Sequence, residues 1–348
     1  GIQVKMITGD HVVTAAAIAK QIKIKEVLTD DPLKFAYKGK DLENISDQAL
    51  IEIAQQSAVF ARVTPEQKLR LVEALQRKGH VVAMTGDGVN DAPALKQANI
   101  GIAMGMGGTE VAKEAADMIL TNDNFATIKA AVEEGRAVFD NLIKFITWTL
   151  PTNAGQALVI VSAILFGLTL PITPVQILYI NMSTAILLGL MLAFEQKEPN
   201  VMRRPPRPPQ AAIINKSLII RIITMSSLLL IFAYGLFSWA LASGESLETA
   251  RTLAVSMFIF GQSFYLFNCR SLTHSMFKLG FFSNPWLLIG VTLMISLQIL
   301  FSHVPFMNQL FGSAPLSLMQ WGSVAIAGLV IYSIIELEKS IHMRAKLK

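Results

Sequence analysis

The sequence predicts an incomplete Rossmann-like α/β domain over residues 1–134, followed by an all-α bundle of six membrane-spanning helices over 135–348. Three observations lead there. Asp, Glu, Lys and Arg crowd the first 140 residues, whereas the remainder carries long apolar runs broken by short polar loops. Within the charged part, short β-branched or apolar runs alternate with helical patterns, as in a doubly wound parallel sheet. The whole chain is 52% hydrophobic and only 16% charged, too apolar for an average soluble protein.

Strands are expected at residues 4–7, 81–84, 100–104 and 118–120, with helices at 13–22, 47–56, 65–78, 92–97 and 110–115. Pro65 sits where a first helical turn tolerates it. A single parallel sheet is the expected outcome. The opening GIQVKMITGD reads as a strand entering a loop, with none of the features of a signal peptide, and suggests a chain truncated upstream.

From Phe125 the helical pattern runs through AAVEEGRAVFDNLIKFITWTL without a stop, into the first apolar run. Six spans are expected at 142–167, 171–194, 217–242, 252–268, 285–303 and 317–335, lengths that bracket the ~20 residues needed to cross a bilayer. Their orientation follows from the loops, because Lys and Arg in short connections stay cytoplasmic. Lys197, Arg203, Arg204, Arg207 and Lys216 lie in one loop, Arg270 and Lys278 in another, and Lys339, Arg344, Lys346 and Lys348 in the tail. Residues 170–174 and 303–315 contain no Lys or Arg, and 244–251 has two glutamates against Arg251. The soluble domain and the C-terminus are therefore placed in the cytoplasm, and lipid is an expected partner.

The net charge of +5 does not point to nucleic acid, since the basic residues after position 195 occupy loops with no interleaved aromatics. Cys269, the single cysteine, rules out a disulfide framework and fits a reducing compartment. RRPPRPP at 203–209 cannot be helical and reads as a stiff connector or, alternatively, a ligand for a proline-binding module.

Two Gly-Asp turns end predicted strands: Thr8-Gly9-Asp10, and the string TGDGVNDAPAL from Thr85. Ligands of open α/β sheets bind at the carboxyl ends of strands, so both loops are expected at one site. Asp87 and Asp91, four residues apart across a glycine turn, let two carboxylates approach a hard cation such as Mg²⁺, and Asn90 adds a neutral amide. Lys68 in FARVTPEQK offers an ammonium for a phosphoryl oxygen, or is a solvated helix lysine.

MITGDH, FARVTPEQK and MTGDGVNDAPALKQANIGIAMG together resemble the P-type ATPases, in particular the subgroup of calcium and sodium-potassium pumps, and the resemblance covers nearly the whole chain. It implies a haloacid-dehalogenase-like phosphorylation domain in which Asp87 and Asp91 serve Mg²⁺, Lys68 contacts an aspartyl-phosphate, and Thr8, Gly9, Asp10 and Asn90 line the site. It also implies ATP as cosubstrate, bound mainly by a domain outside these residues, and a transported cation as cargo at a plasma membrane. The family's nucleophile lies in an Asp-Lys-Thr-Gly motif, which these 348 residues lack. The chain alone is expected to be inactive, with the upstream half of the pump as its partner.

Polar groups at membrane depth are costly without partners and mark candidate sites. Asn153 and Gln156 on the first span, Asn181 and Thr184 on the second, and Gln262 on the fourth stand out. The three-residue spacing within each pair sets both members on one helix face, for interhelical hydrogen bonding or for ion binding. Pro151 frees a backbone carbonyl that can supplement such a site. In the calcium-pump pattern the positions of Gln156, Ala185 and Gln262 carry acids, whereas Asn153, Asn181 and Thr184 match. A neutral cage favours a monovalent cation first, then a cation completed by other helices, then a lipid head group as in flippases. A membrane-anchored phosphatase and a non-catalytic pump-derived protein are the competing readings.

Overall fold

The computed structural model describes residues 1–24, 31–199, 201–272 and 274–347. Lys348, expected in the cytoplasmic tail, lies outside the described residues, as do the side chains of Lys278, Arg344 and Lys346. The chain divides into two units, residues 1–133 with 202–211, and 134–201 with 212–348.

The first unit is α/β. Its strands are β1 (Met6–Thr8), β2 (Ala36–Lys38), β3 (Val59–Ala61), β4 (Ala83–Gly86), β5 (Ile100–Met104) and β6 (Met118–Leu120). All pairings are parallel, but the expected single sheet is two sheets, ordered β1-β3-β2 and β4-β5-β6. The helices are α1 (Val12–Gln21), α2 (Asp47–Gln56), α3 (Pro65–Arg77), α4 (Ala92–Gln97) and α5 (Glu110–Ala115).

The two sheets follow from the position of α3. This helix sends Leu71 into one core, with Phe60, and Val72 into another, with Met84, while Ile7 packs against both. Neighbouring residues on one amphipathic helix thus serve different sheets. The expected strand 4–7 lies at 6–8 and the expected strand 81–84 shifts two residues onward to 83–86; the Thr8 carbonyl accepts the Arg62 amide at 2.7 Å and Gly86 pairs with Ala103. Strands β2 and β3 escaped the sequence reading. All three residues of β3 are buried, so no polar alternation marks it.

Helix α6 (Ala126–Leu165), a continuous helix of 40 residues with Pro151 inside it, begins in the first unit and belongs to the second from residue 134 on. It is followed by α7 (Pro174–Leu187), α8 (Lys216–Ala242), α9 (Leu247–Cys269), α10 (Met276–Leu279), α11 (Pro285–His303), α12 (Pro305–Phe311) and α13 (Leu318–Leu347). Among the described residues, six helices are long and apolar enough to cross a membrane: Ala126–Leu165, Pro174–Phe194, Lys216–Ala242, Leu247–Cys269, Pro285–His303 and Leu318–Ile341. The second is not uniform, since α7 ends at Leu187 and continues as a 3-10 segment from Gly189 to Phe194. The loop expected at 303–315 contains α12.

Helix α9 is the hub, 83% buried over its apolar window against 33–39% for the other spans. Glycines of α6 and α9 face Leu229 of α8. A Cβ on Gly155 of α6 would lie 2.7 Å from Leu229 Cδ1 of α8, and one on Gly261 of α9 would lie 2.8 Å from Leu229 Cδ2. Both are closer than real side chains approach, so Leu229 fills a slot that bare backbone on each side creates.

Polar side chains bind the remaining segments. Arg270, fully buried, grips Glu195 through Nε at 3.2 and 3.1 Å and Nη2 at 2.9 Å, and donates to the Gly280 and Phe281 carbonyls. Asn284 donates to the same carboxylate at 3.2 Å. With Ser283 Oγ accepting from Nη2 as well, every donor direction of that guanidinium is used, the condition under which a buried ion pair is tolerated.

Candidate phosphoryl-transfer and intramembrane sites

In the first unit, α3 begins with a reciprocal cap. Thr64 Oγ1 accepts the Gln67 amide at 3.3 Å and Gln67 Oε1 accepts the Thr64 amide at 2.9 Å, with Pro65 in the first turn. Gln67 Nε2 also donates to the Gly39 carbonyl at 2.8 Å. The start of the helix is fixed, and Lys68 with it.

Lys68 Nζ meets Asp91 Oδ1 at 2.5 Å. Asp91 closes the 3-10 turn Val89–Asp91, and its Oδ2 accepts the Gly88 amide at 3.3 Å. Gly86 permits this geometry: a Cβ there would sit 2.5 Å from the Asp91 Cβ. Asp91 is 7% exposed, whereas Asp87 and Asn90 open to solvent. The Asp87 main chain is held from the other side, because its carbonyl accepts the Thr109 amide at 2.8 Å.

Thr8, Gly9 and Asp10 form a turn of their own at the end of β1. Asp10 N donates to Thr8 Oγ1 at 3.1 Å and Thr8 Oγ1 donates to Asp10 Oδ2 at 3.1 Å. Among the described residues no hydrogen bond joins this turn to Asp87, Asn90 or Asp91. The structure joins Lys68 to Asp91 and leaves the first Thr-Gly-Asp turn self-contained.

The donor set near Asp87 is hard oxygen from one open and one buried carboxylate. Among the described residues, no three or more His, Cys, Asp or Glu side chains cluster for a metal. One open and one buried carboxylate suit Mg²⁺, which keeps several waters and takes one or two protein carboxylates.

In the second unit a cavity of about 290 Å³ opens between α6 and α7, lined by Phe145, Trp148, Thr149, Thr152, Asn153, Asn181, Thr184 and Ala185. Asn153, Asn181 and Thr184 therefore share one space. Gln156 and Gln262 do not line it; they are 3% and 1% exposed. Both amide atoms of Gln156, Nε2 of Gln262 and Oγ1 of Thr149 are buried without a hydrogen-bond partner among the described residues. Unpartnered buried polar atoms are rare and call for a ligand or water. Sequence reading passed over Thr149 and Thr152, although 145, 148, 149, 152 and 153 form one helical stripe.

The expectation for Pro151 is corrected. Proline has no amide to offer the Thr147 carbonyl four residues earlier. That oxygen accepts the Tyr265 hydroxyl from α9 at 2.8 Å, so it is spent on interhelical packing. Trp148 Nε1 strengthens the same seam, donating to the Gln262 carbonyl at 3.0 Å.

Comparisons with known proteins bear on both units. The family profile "Cation transporting ATPase, C-terminus" matches residues 169–341, and "haloacid dehalogenase-like hydrolase" matches residues 1–99. The probable cation-transporting ATPase F of Mycobacterium tuberculosis is 56% identical over 92% of this chain and 35% of its own length. The cation-transporting ATPase pma1 of Synechocystis is 48% identical over 92% of the chain and 36% of itself. The calcium-transporting ATPase of Bacillus subtilis is 40% identical, with the same two shares of 92% and 36%. The chain spans about a third of the length of these relatives.

Proposed function

Because this chain belongs to the cation-transporting P-type ATPase family, we propose that it supplies the phosphoryl-transfer site and six membrane spans of a pump that couples ATP hydrolysis to cation movement. The observation that carries the reading is the 2.5 Å contact of Lys68 with Asp91 beside the open carboxylate of Asp87. An ammonium and two carboxylates at one glycine turn can bind a phosphorylated group and its counter-cation together.

Asp87 and Asp91 would hold Mg²⁺, which would supply positive charge to neutralise phosphoryl oxygens. Lys68 steadies Asp91 before the phosphoryl group arrives and offers it a positive charge afterwards. The Asp87 backbone keeps its carboxylate aimed, through the bond from Thr109. The resemblance implies the aspartate of an Asp-Lys-Thr-Gly motif as the phosphoryl acceptor, a motif that does not occur in these 348 residues. These residues alone are expected not to hydrolyse ATP.

The names of the relatives support a cation as cargo over a lipid. A cavity lined by Thr149, Thr152, Asn153, Asn181 and Thr184 offers neutral oxygens only, and Ala185 adds none. Neutral oxygens suit a monovalent cation better than Ca²⁺, which is normally held by several carboxylates. The proposed placement is a plasma membrane, with the first unit and the C-terminus cytoplasmic, as the Lys and Arg of the loops favour.

The test is phosphoenzyme formation from ATP by the full-length protein, measured across a panel of ions with Asp87→Ala and Asp91→Ala. Loss of phosphoenzyme in both variants, together with stimulation by Na⁺ or K⁺ in the parent, is expected. Unchanged phosphoenzyme in either variant removes the basis of the reading.

A further inference from the structure

The loop from Gly105 to Thr109 is fastened by one carboxylate. Asp123 Oδ1 accepts the amides of Gly105 at 2.7 Å and Met106 at 3.0 Å, and its Oδ2 accepts that of Gly107 at 2.7 Å. Three consecutive backbone donors thus close on a single side chain. Asp123 adopts φ of +50°, an unusual left-handed backbone for a residue other than glycine, and the bend aims its carboxylate into the loop. The Met106 and Gly107 amides hold the carboxyl below the usual carboxylate range, so it stays charged and accepting.

The fastened loop leads directly to the Asp87 site. Its last residue, Thr109, donates its amide to the Asp87 carbonyl at 2.8 Å and caps α5 by accepting the Ala112 amide at 3.3 Å. Two residues before the loop's first glycine, Ala103 of β5 pairs with Gly86, the residue before Asp87. The loop is consequently bound to the Asp87 strand at both ends. Asp123 touches neither Asp87 nor Asp91 in any of these bonds, and acts through the loop backbone.

We infer that Asp123 is a positioning residue for the Asp87 carboxylate: it locks loop 105–109, whose Thr109 amide sets the direction from which Asp87 meets a divalent cation. The inference rests on the proposed Mg²⁺ role of Asp87. Partners of this kind, one bond removed from a ligand, typically alter metal affinity by about 10–100-fold when removed.

The experiment uses the full-length protein and compares Asp123→Asn, Thr109→Pro and Asp117→Asn. Asparagine keeps the size of Asp123 but turns one acceptor into a donor against an amide. Proline suits the φ of −68° at Thr109 while deleting the amide bonded to Asp87. Asp117 is the control, because it accepts the Gly101 amide at 2.8 Å, a comparable bond to a different stretch of backbone.

Mg²⁺ binding is followed by titration calorimetry, and amide exchange is read over residues 105–109. Asp123→Asn and Thr109→Pro should each raise the Mg²⁺ concentration for half-saturation about tenfold, with Asp123→Asn also speeding exchange of the loop amides. Asp117→Asn should move neither. The inference is overturned if Asp123→Asn and Thr109→Pro stay within about twofold of the parent, or if Asp117→Asn shifts Mg²⁺ binding equally. If Asp87→Ala itself leaves Mg²⁺ binding intact, the proposed function fails as well, which separates the two outcomes.

Discussion

Tyr265 of α9 donates its hydroxyl to the Thr147 carbonyl of α6 at 2.8 Å, the oxygen that Pro151 leaves without an intrahelical donor. The proline and the tyrosine lie 114 residues apart in sequence, and they answer each other: one opens a gap in the helix ladder and the other fills it. Tyr265→Phe should therefore destabilise the protein by about 1–2 kcal/mol, the usual consequence of orphaning a buried acceptor. In Pro151→Ala the alanine amide can satisfy Thr147, so adding Tyr265→Phe to that background should have a smaller effect. Thermal melting in detergent of the four proteins of this cycle measures the coupling, and equal costs in both backgrounds would refute it.

The Lys68–Asp91 pair makes a second prediction. Lys68→Met removes the charge and leaves Asp91, 7% exposed, beside an apolar side chain. Under the proposed function, phosphoenzyme formation in the full-length protein should fall about 10²-fold, the scale for removing one preorganised electrostatic group. Lys68→Arg should recover only part, because a planar fork replaces a point charge. Rapid-quench labelling from ATP distinguishes these outcomes.

The neutral intramembrane residues make a third. Gln156→Glu with Ala185→Asp places two carboxylates at positions where the calcium-pump pattern has acids. Apparent Ca²⁺ affinity in the ATPase assay should improve by about tenfold or more, at the expense of stimulation by Na⁺ or K⁺. No change in ion preference would show that these helix faces do not select the cargo.

Arg270 and Glu195 make a fourth. Glu195→Leu leaves a guanidinium of zero exposure without its carboxylate, which should cost about 3–5 kcal/mol. Replacing both residues by leucine should cost less than that, since no uncompensated charge remains. Chemical denaturation in mixed micelles is the appropriate measurement.

A fifth concerns acid. Hydrogen bonding to Arg77, then to Arg70, holds the Asp47 carboxyl below its ordinary range. A depressed carboxyl contributes its stabilisation fully above its unfolded pKa of about 3.9 and loses it as pH falls through the lower folded value. The difference in melting temperature between the parent and Asp47→Asn should therefore persist at neutral pH and shrink below about pH 4. Added salt should shrink it too, because Asp47 and Arg77 are exposed and Arg70 is only half-buried. A difference that grows on acidification contradicts the assignment.

Much of the architecture was legible because its signals are long. Apolar runs of span length and repeated helical spacing identify α6 to α9, α11 and α13 without any distant contact, and the glycine-rich string at Thr85 marks its own turn. Strand β3 was not legible: Val59, Phe60 and Ala61 are all buried, so no polar alternation announces them. Nor was the division into two sheets, which depends on Leu71 and Val72 facing different cores. At the intramembrane site, Asn153, Asn181 and Thr184, singled out as polar residues on apolar helices, line the cavity between α6 and α7. The separation of Gln156 from that cavity does not follow from spacing, because Gly155 draws its stretch of α6 against Leu229.

That leucine has a mechanical corollary. Sliding α6 or α9 past it by one turn, about 5.4 Å, would replace Gly155 by Pro151 or Val159, or Gly261 by Met257 or Tyr265, at the point of closest passage. Each substitute is too bulky for the slot. The two helices are thereby keyed to α8 like parts on a common spline, and axial travel belongs to segments that carry no such key.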